Sequence, residues 1–181
     1  PASIRLAFDY FYAAFPNYNS LESQVGFGLA RELAGRRVLD HHAQSFLVAA
    51  SAPVGRLVVE GQLRAQRSSF PDQHLVDSAG ALGRETREDY LTSLGLALRM
   101  PAELNTDLRL LGTLELGAAF NSSDQSSYDA ARARYLPRFY GYREARVGAG
   151  AQLLFGDPRE PIVLSGAVSW TRRSYPNRPP Q

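Results

Sequence analysis

The chain contains no cysteine, no lysine and no long apolar run. Without cysteine it can form neither a disulfide framework nor a thiolate metal site. No stretch approaches the roughly 18 to 20 consecutive apolar residues of a membrane-spanning helix, so these 181 residues contain no such helix. The net charge is only +2, and no basic run is interleaved with aromatic residues. Nucleic acid is therefore not an expected partner.

What the chain has instead is a two-residue alternation that recurs along most of its length. In residues 57–66 a mostly apolar series alternates with a mostly polar one. This two-residue period is that of a β-strand, in which successive side chains point to opposite faces. No helical stretch is left to cover the apolar face, so lipid is its expected cover. The apolar series of this segment is Leu57, Val59, Gly61, Leu63 and Ala65, and the opposite series is Val58, Glu60, Gln62, Arg64 and Gln66.

The alternation predicts eight strands, each near the 9 to 11 residues with which a tilted strand crosses a membrane. The third is the least regular. Its favoured phase turns Leu39, Ala43, Leu47 and Ala49 outward and Asp40, His42 and Gln44 inward, which leaves Phe46 and Val48 on the polar face. The predicted strands span residues 3–15, 23–33, 38–50, 54–70, 90–100, 108–120, 138–155 and 162–172.

The predicted connections alternate in length, as in outer-membrane barrels with short periplasmic turns and long outer loops. Residues 16–22, 51–53, 101–107 and 156–161 form the short edge. Residues 68–89 and 121–137 form the long edge together with the short connection 34–37. Aromatic residues are expected to form a girdle at each edge. The short-edge girdle contains Phe11, Tyr12, Phe15 and Tyr18, and the other contains Phe70, Tyr90, Phe120, Tyr135, Phe139, Tyr140, Trp170 and Tyr175.

The fold class predicted from this pattern is all-β, an antiparallel up-and-down transmembrane β-barrel forming a single domain over residues 1–181. With eight strands, both chain ends fall on the outer edge, whereas a complete bacterial barrel normally has both ends in the periplasm. We therefore expect at least one strand to be missing at each end, so that the chain is part of a barrel of ten or more strands. The alternative explanation is that one strand is miscounted.

The polar phase supplies the candidate lumen-lining or binding residues. Charges inside a membrane barrel are costly unless they are paired or wetted. The mixed signs favour either a salt-bridge network that fills a narrow interior or a wet pore without strong ion selectivity. The candidates are Arg5, Asp9, Glu60, Gln62, Arg64, Arg99, Arg109, Glu115, Glu144 and Arg146, and Asp40, His42, Gln66 and Gln152 belong to the same phase.

Asp40, His41 and His42, followed by Ser45, suggest a hydrolase site. A triad needs its members to converge in space, but adjacent strand residues point to opposite faces, so His41 and His42 cannot share a site. The remaining histidine, His74, falls in a predicted loop. We expect no catalytic residue, no metal site and no cofactor. The glycines of residues 26–28 and 148–150 lie inside predicted strands, where glycine relieves crowding rather than binding phosphate.

Residues 162–177, with the sequence IVLSGAVSWTRRSYPN, resemble the penultimate strand and outer loop of C-terminal barrels in outer-membrane proteins that carry tetratricopeptide repeats. Some of those barrels export polysaccharide and others move lipoproteins to the cell surface. The resemblance implies a membrane barrel, and the chain contains no tetratricopeptide repeat of its own.

The function expected from these features is that of an integral β-barrel of the Gram-negative bacterial outer membrane, acting as a conduit or membrane anchor in an export or surface-assembly machine. Its expected partners are outer-membrane lipid, lipopolysaccharide and other subunits of an envelope complex. Two alternatives remain open at this point: a soluble calycin-like barrel that binds an apolar ligand, and an outer-membrane hydrolase.

Overall fold

The computed structural model describes residues 1–16, 31–33, 35, 37–105, 108–156 and 161–178. This part of the chain is nearly all antiparallel β-structure. Its one helix is the three-residue 3-10 helix Arg31–Leu33, and no helix here has the length and apolarity needed to cross a membrane. The strands are β1 Ser3–Ala13, β2 His41–Val54, β3 Leu57–Val76, β4 Leu82–Asn105, β5 Leu108–Ser123, β6 Ser127–Asp129, β7 Arg134–Leu136, β8 Tyr142–Phe155 and β9 Ile162–Ser174.

Seven strands form one sheet in the order β1-β2-β3-β4-β5-β8-β9, and β6 and β7 form a separate hairpin. Every neighbouring pair is antiparallel. The short connections stand at one edge, where β2 and β3 are joined through Gly55 and Arg56. Gly55 has a φ of 60°, which glycine adopts without steric cost. In the described residues β9 does not pair with β1, so the sheet is open.

The predicted second strand, residues 23–33, is not confirmed. Most of it lies outside the described residues, and Arg31–Leu33, at its end, form the 3-10 helix. Because β1 pairs directly with β2, both strands meet the 14–40 connection at the long-connection edge. The expectation that the chain starts at that edge was therefore wrong, since β1 begins at the short-connection edge. Tyr12 and Phe15 were predicted to belong to the girdle at the short-connection edge, but they lie at the long-connection edge.

The predicted phase of the third strand was wrong. In β2, Phe46 pairs with Phe8 and Val48 pairs with Leu6, so these residues lie on the apolar face together with His42. Ala43 and Leu47 lie on the polar face. The error arose because small and apolar residues occupy both faces of this strand, and only the register with β1 and β3 distinguishes them.

The predicted long connection 68–89 was also wrong. β3 and β4 continue past the other strands and meet at residues 77–81, where Asp77 accepts hydrogen bonds from the amides of Ala79 and Ala81. The register shifts after Phe70, which is a β-bulge. The alternation of apolar and polar residues is interrupted after Phe70, so the sequence pattern does not indicate that β3 continues to Val76.

We call the seven-stranded sheet up to the level of Phe70 the wall, and the structure above it the cap. The cap comprises Arg31–Leu33 and residues 38–40, 70–87 and 123–141. The largest fully buried side chains of the described chain all lie there: Val38, Gln73, Gln125, Glu32 and Ser123. The wall buries little, because no described segment packs on its apolar face.

Candidate functional site

The outer face of the wall is apolar and exposed. Its register rows join leucine, valine and aromatic residues of successive strands, as in Leu63 opposite Leu94 and Leu114 opposite Leu98. Ile4 is 77% exposed and Val168 is 73% exposed. Between the short-connection edge and the level of Arg67, Glu88, Arg143 and Arg172, no outward position of the described strands carries a charged side chain.

The inner face of the wall carries every one of the predicted lumen-lining residues. The register brings Arg5, Gln62 and Arg146 into one row across the sheet, with glycines at the intervening positions of β4 and β5. Glu60 and Glu115 occupy the next row, and the remaining candidates lie above and below these two rows on the same face. The set is Arg5, Asp9, Glu60, Gln62, Arg64, Arg99, Arg109, Glu115, Glu144 and Arg146.

Two neighbouring grooves of about 580 Å³ and 540 Å³ open on this inner face, and Arg99, Glu115 and Arg146 line both. The space depends on glycine. A Cβ added at Gly95 would lie 2.9 Å from the Gln62 side chain, and one at Gly117 would contact the Cβ of Arg146. Glycine at these positions therefore lets the long polar side chains of neighbouring strands lie across the sheet.

Most charges in the grooves are paired with the opposite sign. Arg99 lies 3.0 Å from Glu60, Arg146 lies 3.7 Å from Glu115, and these side chains are about half exposed. Arg5 forms no ion pair with any described residue. A face with paired, solvent-accessible charges of both signs can hold water and polar solutes without excluding either ionic sign.

Sequence reasoning missed two inner-face residues. Ser45 accepts a hydrogen bond from Arg64 (3.1 Å) and donates one to Asp9 (3.4 Å), but the inverted phase of the third strand concealed it. Arg173 pairs with Glu144 at 2.6 Å and was missed because the predicted last strand ends at residue 172. The alternation continued through Ser174 would have identified Arg173.

The cap covers the inner face at the long-connection edge. Arg87, an inner-face residue of β4, forms an ion pair with Asp89 and donates a hydrogen bond to Gln73. Its guanidinium also lies between two rings, 4.3 Å from the Phe70 centroid and 4.1 Å from the Tyr140 centroid. Burial raises the pKa of the Tyr140 phenol.

Buried polar side chains connect the cap segments to one another. Glu32 Oε1 accepts hydrogen bonds from the Ser127 hydroxyl (2.7 Å) and the Tyr128 amide (3.1 Å). Gln125 accepts from the Val76 amide and donates to the His74 carbonyl. These bonds join the 3-10 helix, the β3–β4 extension and the β6–β7 region. In the described chain this end of the inner face is therefore occluded by ordered protein.

The residues that suggest a hydrolase do not converge. His42 stacks between Tyr10 and Tyr12 on the outer face, and its Nδ1 lies 2.7 Å from the Tyr10 hydroxyl. Ser45 lies on the inner face. Asp40 accepts hydrogen bonds from the Phe15 amide (2.7 Å) and the Tyr12 hydroxyl (2.9 Å), which lower the pKa of its carboxyl.

His41 packs against the Phe70 ring instead of joining a catalytic group. No group of three or more histidine or acidic side chains suited to a metal ion occurs in the part of the chain that the structure describes.

Comparison of the chain with protein-family models, with curated proteins and with solved structures finds no significant match.

Proposed function

We propose that the wall is part of an integral outer-membrane β-barrel that acts as a conduit or membrane anchor in an export or surface-assembly machine. One observation carries the proposal: from the short-connection edge as far as Arg67, Glu88, Arg143 and Arg172, the outer face is apolar and free of charge, while the inner face carries paired charges and polar grooves. Hydrocarbon on one side and water on the other would suit both faces.

The energetic argument rests on the outward side chains. Burying a leucine or valine side chain contributes roughly 1.5 to 3 kcal/mol relative to exposing it. The wall leaves four such side chains more than 60% exposed: Ile4, Leu6, Leu164 and Val168. If the outer face were in contact with water, most of the free energy of burial would not be gained at these positions. A bilayer recovers it without any further protein.

The alternative of a soluble ligand-binding barrel requires the opposite sidedness. Its apolar face would line the cavity and its polar face would meet solvent. The two grooves lined by Arg99, Glu115 and Arg146 instead open on the polar face, where glycine and alanine lie between the charged residues, and the groove beside Phe8 and Phe46 on the apolar face is smaller, about 260 Å³. These observations favour the membrane proposal.

The sheet order constrains how such a barrel would close. β1 and β9 both run from the short-connection edge to the long-connection edge, because they are the first and last of seven alternating strands. Pairing them directly would make a parallel contact. Closure with every pair antiparallel therefore needs an odd number of further strands, the first and the last of which run opposite to β1 and β9. Eight or ten strands in total satisfy this condition, in line with the even counts of bacterial barrels.

Two experiments test the proposal in sequence. The first is extraction of the protein from outer membranes, for which we expect release by detergent and retention after high salt or carbonate. A protein that stays soluble and monomeric without detergent would refute the membrane assignment. The second is conductance in a planar bilayer. Measurable current supports the conduit role, whereas stable insertion without current leaves the anchor role.

A further inference from the structure

Two arginines stand side by side at the upper limit of the charge-free outer face. Arg172 of β9 pairs with Ala145 of β8, and Arg143 lies two residues before Ala145 on the same face. Residues in this diagonal relation lie about 7 to 8 Å apart, within reach of long side chains. Both arginines are exposed.

This pair lacks a counter-charge in the described chain. Neither Arg143 nor Arg172 forms an ion pair with any described residue. The neighbouring Arg173, which points inward, is paired with Glu144. On the other side of the outer face, Arg67 is paired with Glu88. Two adjacent like charges without a partner favour an anion between them.

The surroundings of the pair fit the boundary between hydrocarbon and headgroups. Trp170 lies two residues before Arg172 on the same face and is 57% exposed, and Phe120, opposite Arg143, is 48% exposed. Tryptophan at such a level is typical of a membrane interface. Ser174 pairs with Arg143 and places a hydroxyl on the same side. Guanidinium groups are well suited to phosphate oxygens.

We infer that Arg143 and Arg172 form a binding site for the phosphate of an anionic lipid headgroup, in the leaflet at the long-connection edge. This site rests on the proposed membrane function, because it requires Trp170 and Phe120 to lie at the lipid interface. A single basic residue near a membrane surface gives roughly a fivefold preference for anionic lipid. The two arginines together should therefore enrich such a lipid well beyond its bulk fraction.

Trp170 is the only tryptophan of the chain and provides the measurement. The protein is reconstituted in phosphatidylcholine vesicles that contain a minor fraction of phosphatidic acid, with bromine on the acyl chains of one lipid at a time. Brominated chains quench tryptophan fluorescence on contact. We expect the phosphatidic acid to quench Trp170 more than its bulk fraction predicts, and R143Q/R172Q to lose this excess. R67Q is the matched control and should keep it.

Each outcome bears on a different claim. Quenching in proportion to bulk composition in the unchanged protein overturns the site, as does an excess that persists in R143Q/R172Q. Loss of the excess on adding millimolar inorganic phosphate would support recognition through the phosphate group. No quenching by either lipid would mean that the chain does not insert, which refutes the proposed function instead. Circular dichroism of each variant verifies that the sheet is retained.

Discussion

The wall and the cap place their polar and apolar side chains in opposite ways. In the cap, polar and charged side chains such as Glu32, Gln73 and Gln125 are buried and hydrogen-bonded, and apolar residues pack beside them. In the wall, large apolar side chains point outward without a described partner, and most charges lie on the inner face. The cap thus resembles the interior of a water-soluble protein, whereas the outer face of the wall has the character that the proposed contact with lipid requires.

The contrast shows where each region obtains its stability. Hydrogen bonds between buried polar groups are specific but leave a large penalty when one partner is removed. The wall instead depends on backbone pairing and on whatever covers its outer face. Substitutions should therefore act by different rules in the two regions.

The largest effect is expected from Arg87→Gln in the cap. It leaves the Asp89 side chain, which is only 13% exposed, without its partner and removes the guanidinium from between Phe70 and Tyr140. Loss of one member of a buried pair costs about 3 to 5 kcal/mol. Hydrogen exchange of the cap amides in detergent micelles would measure this as a lower free energy of local opening.

The control for Arg87→Gln is Arg67→Gln, which removes an exposed ion pair from the outer face of β3. Exposed pairs contribute about 0 to 1 kcal/mol. Equal effects of the two substitutions would contradict the distinction between a buried cap and an exposed wall.

The next effect is expected from Leu114→Arg on the outer face of the wall. A charged side chain facing lipid near the midplane costs about 2 to 4 kcal/mol, so the free energy of insertion into vesicles should become less favourable by this amount. Gln152→Arg is the matched control, because Gln152 lies exposed on the inner face of β8. If Gln152→Arg impaired insertion as much as Leu114→Arg, the assignment of the two faces would be wrong.

A smaller effect is expected from Gln125→Ala. The Val76 amide, which is buried, loses its acceptor, and the His74 carbonyl, in a partly buried bond, loses its donor. An unsatisfied buried group costs about 1 to 3 kcal/mol. Exchange of the Val76 amide should accelerate accordingly. On the wall, Gln66→Ala should leave exchange in the cap unchanged, and acceleration there would argue against a separate cap.

The mildest effect is a pH dependence at the junction of wall and cap. The hydrogen bonds that the Asp40 carboxylate accepts lower the pKa of this carboxyl in the folded protein. The stability that they contribute is therefore fully present above pH 3.8, the ordinary pKa, and is lost as the pH falls through the lower pKa of the folded state. Protection of the Phe15 amide, corrected for intrinsic exchange, should therefore fall below pH 3.8. Asp40→Asn should remove this dependence, and an unchanged profile would exclude Asp40 as its source.

The wall was largely predictable from the sequence, and the cap was not. In β3, β4 and β9 the outward residues of the wall are mostly large and apolar and alternate with polar or small ones, so the period alone located these parts of the strands and their faces. In β2 apolar residues occupy both faces, so the phase depended on pairing with β1. The cap is formed by contacts between residues 31–33, 70–87 and 123–141, which are far apart in the chain. Nothing in the local pattern of Glu32 or Gln125 indicates that these residues are buried.

The central claim is that the two faces of the wall meet different solvents, and a cysteine scan of β5 tests it most directly. The chain has no native cysteine, so each residue of 110–119 can be replaced singly and spin-labelled in reconstituted vesicles. Labels at even positions should be relaxed by oxygen dissolved in lipid, and labels at odd positions by a water-soluble nickel chelate. Nickel access at even and odd positions alike would contradict the account.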